Sequence, residues 1–229
     1  MNSFAEPIWG QPYCAASGSP FEKMGVALQF RLTYDGHIYG SGNGGDHSHK
    51  HDIRRVFHSQ LKRHWEVYPQ VKRMAEIQFD ANGGKSQLDC LANDHARFGF
   101  RFVPLVHKSG EFTEFMPIVS LDILFLRSGR PGGVLKSADI DGRLKTIFDA
   151  LRMPDLKQEI GSLTPALDED PFYVLVSDDR FIGNVSITTD TLLQPTAAAG
   201  MAGFNDAHDA RLVIQVKIQS YDSSLFLPL

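Results

Sequence analysis

Four side chains between residues 139 and 149 have the types and spacing to do chemistry: Asp139, Asp141, Lys145 and Asp149. They lie in SADIDGRLKTIFDAL, residues 137–151. On a helix turning about 100° per residue, Ile140, Leu144, Ile147, Phe148 and Leu151 share one apolar stripe, and Asp141, Lys145 and Asp149 form a ridge along its edge. Asp139 precedes the helix in an extended turn, where side chains two apart point the same way. Asp139 and Asp141 can therefore converge at the start of the helix. Two close carboxylates repel, and a shared cation relieves the repulsion. A purely structural role also fits, with Asp141 capping the helix and Lys145 and Asp149 forming an exposed ion pair.

A second acidic element, Asp178 and Asp179, closes the apolar run FYVLV at 172–176. Carboxylates from a strand end and a helix start are how a fold gathers oxygen ligands from distant sequence. Mg²⁺, with Mn²⁺ as its substitute, takes a few carboxylates, waters and a substrate phosphate. Such an ion activates water and stabilises the oxyanions of phosphodiester cleavage, and a nearby lysine offsets developing charge.

The elements that must hold these groups are legible as patterns. VALQFRLTY (26–34) reads as a strand, and DGHIYGSGNGGDHSHK as a glycine- and histidine-rich loop. Asp52 caps a helix over 51–68, with Ile53, Val56, Phe57, Leu61 and Trp65 near helical spacing. Residues 80–96 read as loop with a short helix. Runs at 98–106 and 115–127 read as strands joined by a hairpin-type connection. Strands follow at 172–176, at FIGNVSITTD and at RLVIQVKIQ (211–219). Strands outnumber helices without regular alternation. The expected fold class is therefore α+β, a mixed β-sheet packed with two main helices. The expected organisation is an N-terminal arm over 1–24 and a single domain over 25–229.

Composition narrows the function classes. A chain of 229 residues, 42% hydrophobic and 22% charged, is an ordinary globular composition. A net charge of −4 excludes a polycation, so nucleic-acid binding requires a local patch. Residues 45–75 supply one, with seven Lys/Arg against three Asp/Glu and five histidines. Arg54, Arg55, Lys62 and Arg63 are its candidates for phosphate contacts, which bind without reading sequence. The alternative is a solvated basic helix face. Two cysteines, Cys14 and Cys90, in no metal-like spacing, point to a reducing, cytoplasmic setting. No apolar run approaches membrane-spanning length, and the first residues lack a signal-peptide pattern.

The acidic elements and their flanking strands resemble the RusA-like crossover-junction endodeoxyribonucleases. That family shows a strand, Asp-x-Asp-Asn, a lysine four residues on, Asp-Ala-Leu, and later a strand ending in Asp-Asp. The corresponding residues are Asp139-Ile140-Asp141-Gly142, Lys145, Asp149-Ala150-Leu151 and VLVSDDRFI. The resemblance covers about half the chain. It implies that Asp139, Asp141 and Asp179 bind metal, with Asp178 a lesser ligand, and that Lys145 is catalytic. It further implies Mg²⁺-dependent cleavage of Holliday junctions or other branched DNA by a homodimer with two active sites. Gly142 departs from the family's asparagine. An insertion over 154–171 adds an acidic loop: residues 155–179 carry seven Asp/Glu and one Lys. The same scaffold without catalysis, as a DNA- or protein-binding module, is the alternative.

Other patterns carry less. His47, His49 and His51 would face one metal on a strand but not in a glycine-rich loop. Gly40, Gly42 and Gly45 match a dinucleotide-binding spacing, without the immediate helix that such a fold needs. Lys217 reads as a solvent-face lysine of the last strand.

Overall fold

The computed structural model describes residues 28–40, 47–75, 86–107, 115–127, 140–196 and 208–222. The arm over 1–24, Asp139, Gly42 and Gly45 lie outside them. In chain order the elements are β1 (Leu28–His37), α1 (His47–Val67), α2 (Pro69–Ala75), α3 (Gln87–Asp94), β2 (Ala96–Arg97) and β3 (Phe100–Val106). Then come β4 (Phe115–Arg127), α4 (Ile140–Leu151), β5 (Phe172–Val176), β6 (Ile182–Thr191) and β7 (Asp209–Asp222).

The class is α+β, but the strands divide into two sheets. One has the order β1-β7-β4-β6 and the other β2-β3-β5. In the larger sheet β7 runs antiparallel to both β1 and β4, while β6 is parallel to β4. In the smaller sheet β3 and β5 are parallel. The expected hairpin between 98–106 and 115–127 is thus corrected: β3 and β4 belong to different sheets. Their burial gives the reason. β4 alternates, with Val119, Leu121, Ile123 and Phe125 buried and Asp122 and Leu124 exposed, as suits a sheet with one wet face. β3 and β5 are apolar and buried almost without a break, as suits strands covered on both faces.

What covers them is informative. On one side, Val103, Leu105, Tyr173 and Leu175 join the main core with the inner face of the larger sheet, α1 and α4. On the other, Phe100, Phe102, Phe172 and Val174 pack with Met153 and Ile160. The second core is therefore partly built by the insertion. In α1, Ile53, Phe57, Leu61 and Trp65 form the buried stripe, and Val56, also expected there, is exposed.

α1 begins earlier than its pattern suggested and absorbs the histidine run. Residues two apart on a helix are about 200° apart, so His47, His49 and His51 cannot face one ion. His47 is exposed and His51 fully buried. The glycine-rich loop reaches the helix through 41–46, outside the described residues. No helix among the described residues is long and apolar enough to cross a membrane.

Candidate functional site around helix α4

α4 packs against α1 and β5, and that placement sorts its side chains. Ile147, Ala150 and Leu151 are buried in the main core. Asp141 and Lys145 are exposed. Asp149, expected as the exposed partner of Lys145, is instead buried and turned toward α1. Its carboxylate accepts from Lys50 Nζ at 2.6 Å and from Arg152 Nη2 at 3.2 Å. Its backbone carbonyl accepts from Arg54 Nη2 at 2.6 Å. Two cations and their hydrogen bonds offset the desolvation of a carboxylate this enclosed.

The basic residues of α1 are placed differently from the expectation of a phosphate-binding row. Arg54 is 1% exposed, and burial pulls its guanidinium down to about 10. It ties α1 to α4 and cannot reach DNA from there. Arg55 Nε donates to Glu169 Oε1 at 2.5 Å, and Lys62 Nζ donates to the Asp168 carbonyl at 3.0 Å. Arg63 faces solvent, with Glu66 as its partner at 3.1 Å. The insertion therefore lies along α1, and its acidic tip takes up cations the sequence offered for DNA. Burial would raise the Glu169 carboxyl, but bonds from Arg55 and from the Ala166 N–H outweigh it and hold the group below its usual range. His58 joins the same seam. Its Nδ1 accepts from the Tyr173 N–H at 2.8 Å, which leaves Nε2 to donate to the Asp168 carbonyl at 3.3 Å.

The two acidic motifs do not meet. Arg152, just past the end of α4, bridges to Val176 at the end of β5, and the Met153 N–H donates to the Val176 carbonyl at 3.0 Å. Asp178 and Asp179 follow at once, beside the C-terminal end of α4. Asp141 is in the first turn. At 1.5 Å per residue, the eleven steps from 141 to 152 span about 16 Å. The sheet gives the same answer. Ile182 pairs with Val119 at one end of the β4–β6 ladder, and Arg127, whose charge acts on Arg143 near the start of α4, pairs with Thr191 at the other. Eight strand residues span about 26 Å. A single ion held by both Asp141 and Asp179 is thus not assembled within the described part of the chain, where no group of three metal-binding side chains occurs. The expected meeting of the Asp141 helix with the Asp179 strand takes place at the wrong end of the helix.

Asp178 has local work. It caps the 3₁₀ turn Asp179–Phe181. It accepts from the Arg180 N–H at 2.9 Å and from the Arg180 guanidinium at 3.0 and 2.7 Å. Those bonds pull its carboxyl down to about 2. Asp179 is exposed.

The other end of α4 carries a constellation that the motifs did not flag. Tyr39 stacks edge-on against His49 at 4.6 Å between ring centroids and lies 4.7 Å from the His208 ring. Its hydroxyl is 3.2 Å from His37 Nδ1, and its carbonyl accepts from Thr146 Oγ1 at 2.9 Å. Arg143 Nη2 lies 3.5 Å from His208 Nδ1. Arg143 is 3% exposed and Arg127 8% exposed. Burial first, and then the nearby charge of Arg127, lowers the Arg143 guanidinium from its ordinary value. One signal was available: Arg143, three residues after Ile140 and four before Ile147, falls at the edge of the apolar stripe on the side away from Asp141. Nothing in local sequence points to Arg127 or His208, which reach the site through strand pairing. No protein-family model matches the chain, and no curated protein shows significant similarity to it.

Proposed function

We propose that this chain is a RusA-like, Mg²⁺-dependent endonuclease acting on Holliday junctions or other branched DNA, with its active centre at the N-terminal end of α4. The observation that carries the reading is the disposition of Asp141 and Lys145. Both are exposed in the first turns of a helix whose opposite side is fixed in the core. Magnesium is commonly held by one or two carboxylates together with substrate phosphates. Asp139 and Asp141 suffice for such a site without Asp179, and hard oxygen donors suit Mg²⁺ or Mn²⁺. When bound, the ion would supply an activated water and charge stabilisation for phosphodiester hydrolysis. Lys145, one helical turn from Asp141, would neutralise charge on the phosphate oxygens. Paired nicks in a four-way junction require two such centres, hence a C₂ homodimer.

The test is cleavage of a labelled four-way junction with Mg²⁺ or Mn²⁺. Asp141→Asn and Lys145→Ala should each reduce cleavage at least 100-fold while leaving junction affinity within about threefold. Cleavage unchanged in Asp141→Asn would overturn the assignment. A second reading, a binding module of this fold that does not cleave, is favoured by one specific observation: Asp179 lies a helix length from Asp141. Junction binding by the wild type, with no cleavage under either metal, would select it.

A further inference from the structure

We infer that β6 is the contact edge for a second copy of this chain, its backbone pairing antiparallel with the partner's β6 across a two-fold axis. β6 closes one side of the larger sheet and β1 the other. The two edges are treated differently. At β1, the side-chain amide of Gln60 on α1 accepts from the Thr33 N–H at 2.9 Å and donates to the Thr33 carbonyl at 2.7 Å. At β6, the Leu192 N–H just past the strand donates to the Arg127 carbonyl of β4. Alternation then turns the backbone groups of Asn184, Ser186, Thr188 and Asp190 toward β4, and those of Val185, Ile187 and Thr189 outward. Among the described residues nothing bonds to these outward groups. The Thr191 N–H, at the end of the strand, is taken up by Asp190 Oδ1 at 2.7 Å.

Free edges are usually guarded by lysine, proline or a covering element. β6 runs ten residues with no lysine, arginine or proline and with Asp190 as its one charge. Its inner face is open as well: Val185 is 36% exposed, although its ladder neighbour Leu121 is 2% exposed. The strand also fits itself. Its irregularity lies at the start, before Asn184, so the regular stretch runs from Asn184 to Asp190 and is centred on Ile187. A two-fold axis through Ile187 sets Ile187 opposite the partner's Ile187 and Val185 opposite the partner's Thr189. It sets Ser186 opposite the partner's Thr188, and the Asn184 amide opposite the partner's Asp190 carboxylate. β-branched and hydroxyl pairs of this kind stabilise a sheet, and no like charges are opposed. The outward groups of Val185, Ile187 and Thr189 meet those of the same three residues of the partner. Two four-stranded sheets join into one, whose outer edges are both β1 and both held by Gln60, so assembly closes at two copies.

The inference names the surface for the homodimer of the proposed function, but its evidence is the strand and not the cleavage chemistry. Asp141→Asn should therefore dimerise as the wild type does, which separates loss of cleavage from loss of dimerisation. The full-length chain is sedimented from about 1 to about 100 μM, where a reversible monomer–dimer equilibrium is expected. Ile187→Pro removes an outward N–H and no bond to β4, and should weaken association about 10-fold or more with an unchanged circular dichroism spectrum. Should that variant not fold, Val185→Lys, which places a charge at the edge, serves in its stead. Register is read by disulfide cross-linking in a Cys14→Ser background. Ser186→Cys and Thr188→Cys chains should cross-link on oxidation when mixed, and neither should do so alone. A chain monomeric at every concentration would overturn the inference and leave the edge to a strand from another protein. Wild-type association in both edge variants, or no cross-link in the mixture, would overturn it too.

Discussion

The two ends of helix α4 handle charge in opposite ways. At the C-terminal end, Arg152 reaches Asp149, Asp155 and Glu159 at 3.2, 2.9 and 3.1 Å, Lys50 also takes Asp149, and Arg180 closes on Asp178. Acids and bases there are interlocked. At the N-terminal end, Arg127 Nη2 is a buried donor with no acceptor among the described residues, and the accessible carboxylate of Asp141 faces water. Paired charge fastens a fold, and a buried donor without an acceptor is a place to test for binding, but Arg54 Nε near the fastened end is unpartnered as well among the described residues. The Asp-Asp motif, which in sequence looked most like chemistry, belongs to the fastened end.

That contrast can be tested by breaking the fastened end first. Asp149→Ala should be the most damaging change, leaving Lys50 and Arg152 short of an enclosed partner. A loss of about 3–5 kcal/mol is expected in urea unfolding, and a loss below about 1 kcal/mol would mean that the network is ornamental. Glu169→Ala should cost less, about 1–2 kcal/mol, because Arg55 is partly solvated. The same variant should bind DNA more tightly and with a steeper salt dependence, since Arg55 is freed.

Acid should reach the interior before it reaches the carboxylates. His51 is held down to about 4 by burial and then by the neighbouring Arg54 and Arg55. A histidine kept neutral in the folded state contributes stability above its unfolded value of about 6.5, and that contribution is lost as pH falls toward 4. Stability should therefore decline over that window, and less steeply in His51→Gln. Asp178, lowered from 3.8 to about 2, keeps its contribution until pH falls below about 4 and loses it toward 2. The smallest effect belongs to the open end: Lys145→Ala should change stability by no more than about 0.5 kcal/mol while affecting any cleavage strongly. A large stability loss there would show that Lys145 is a structural residue and weaken the contrast.

The elements were legible where one force dominates. β4, β7 and α4 declare themselves because alternation or a helical stripe survives along their whole length. The partition into two sheets was not, since the unbroken apolar runs of β3 and β5 reveal burial on both faces but not what buries them. The separation of Asp141 from Asp179 was hidden for a related reason. Both motifs are correct about local structure, at a helix start and a strand end, but a parallel return of β6 beside β4 sends those two points to opposite edges of the sheet. Likewise the basic row on α1 was countable, whereas its occupation by Glu169 and Asp168 depends on contacts more than 100 positions apart.

The segment that carries Glu169 has one more implication. By resting a carboxylate on Arg55 and a carbonyl on Lys62, the protein carries its own rival for any polyanion that approaches that side of α1. A nucleic acid docking there would first have to evict a tethered competitor whose local concentration never dilutes, so the grip of that surface would depend on how readily the tether lets go.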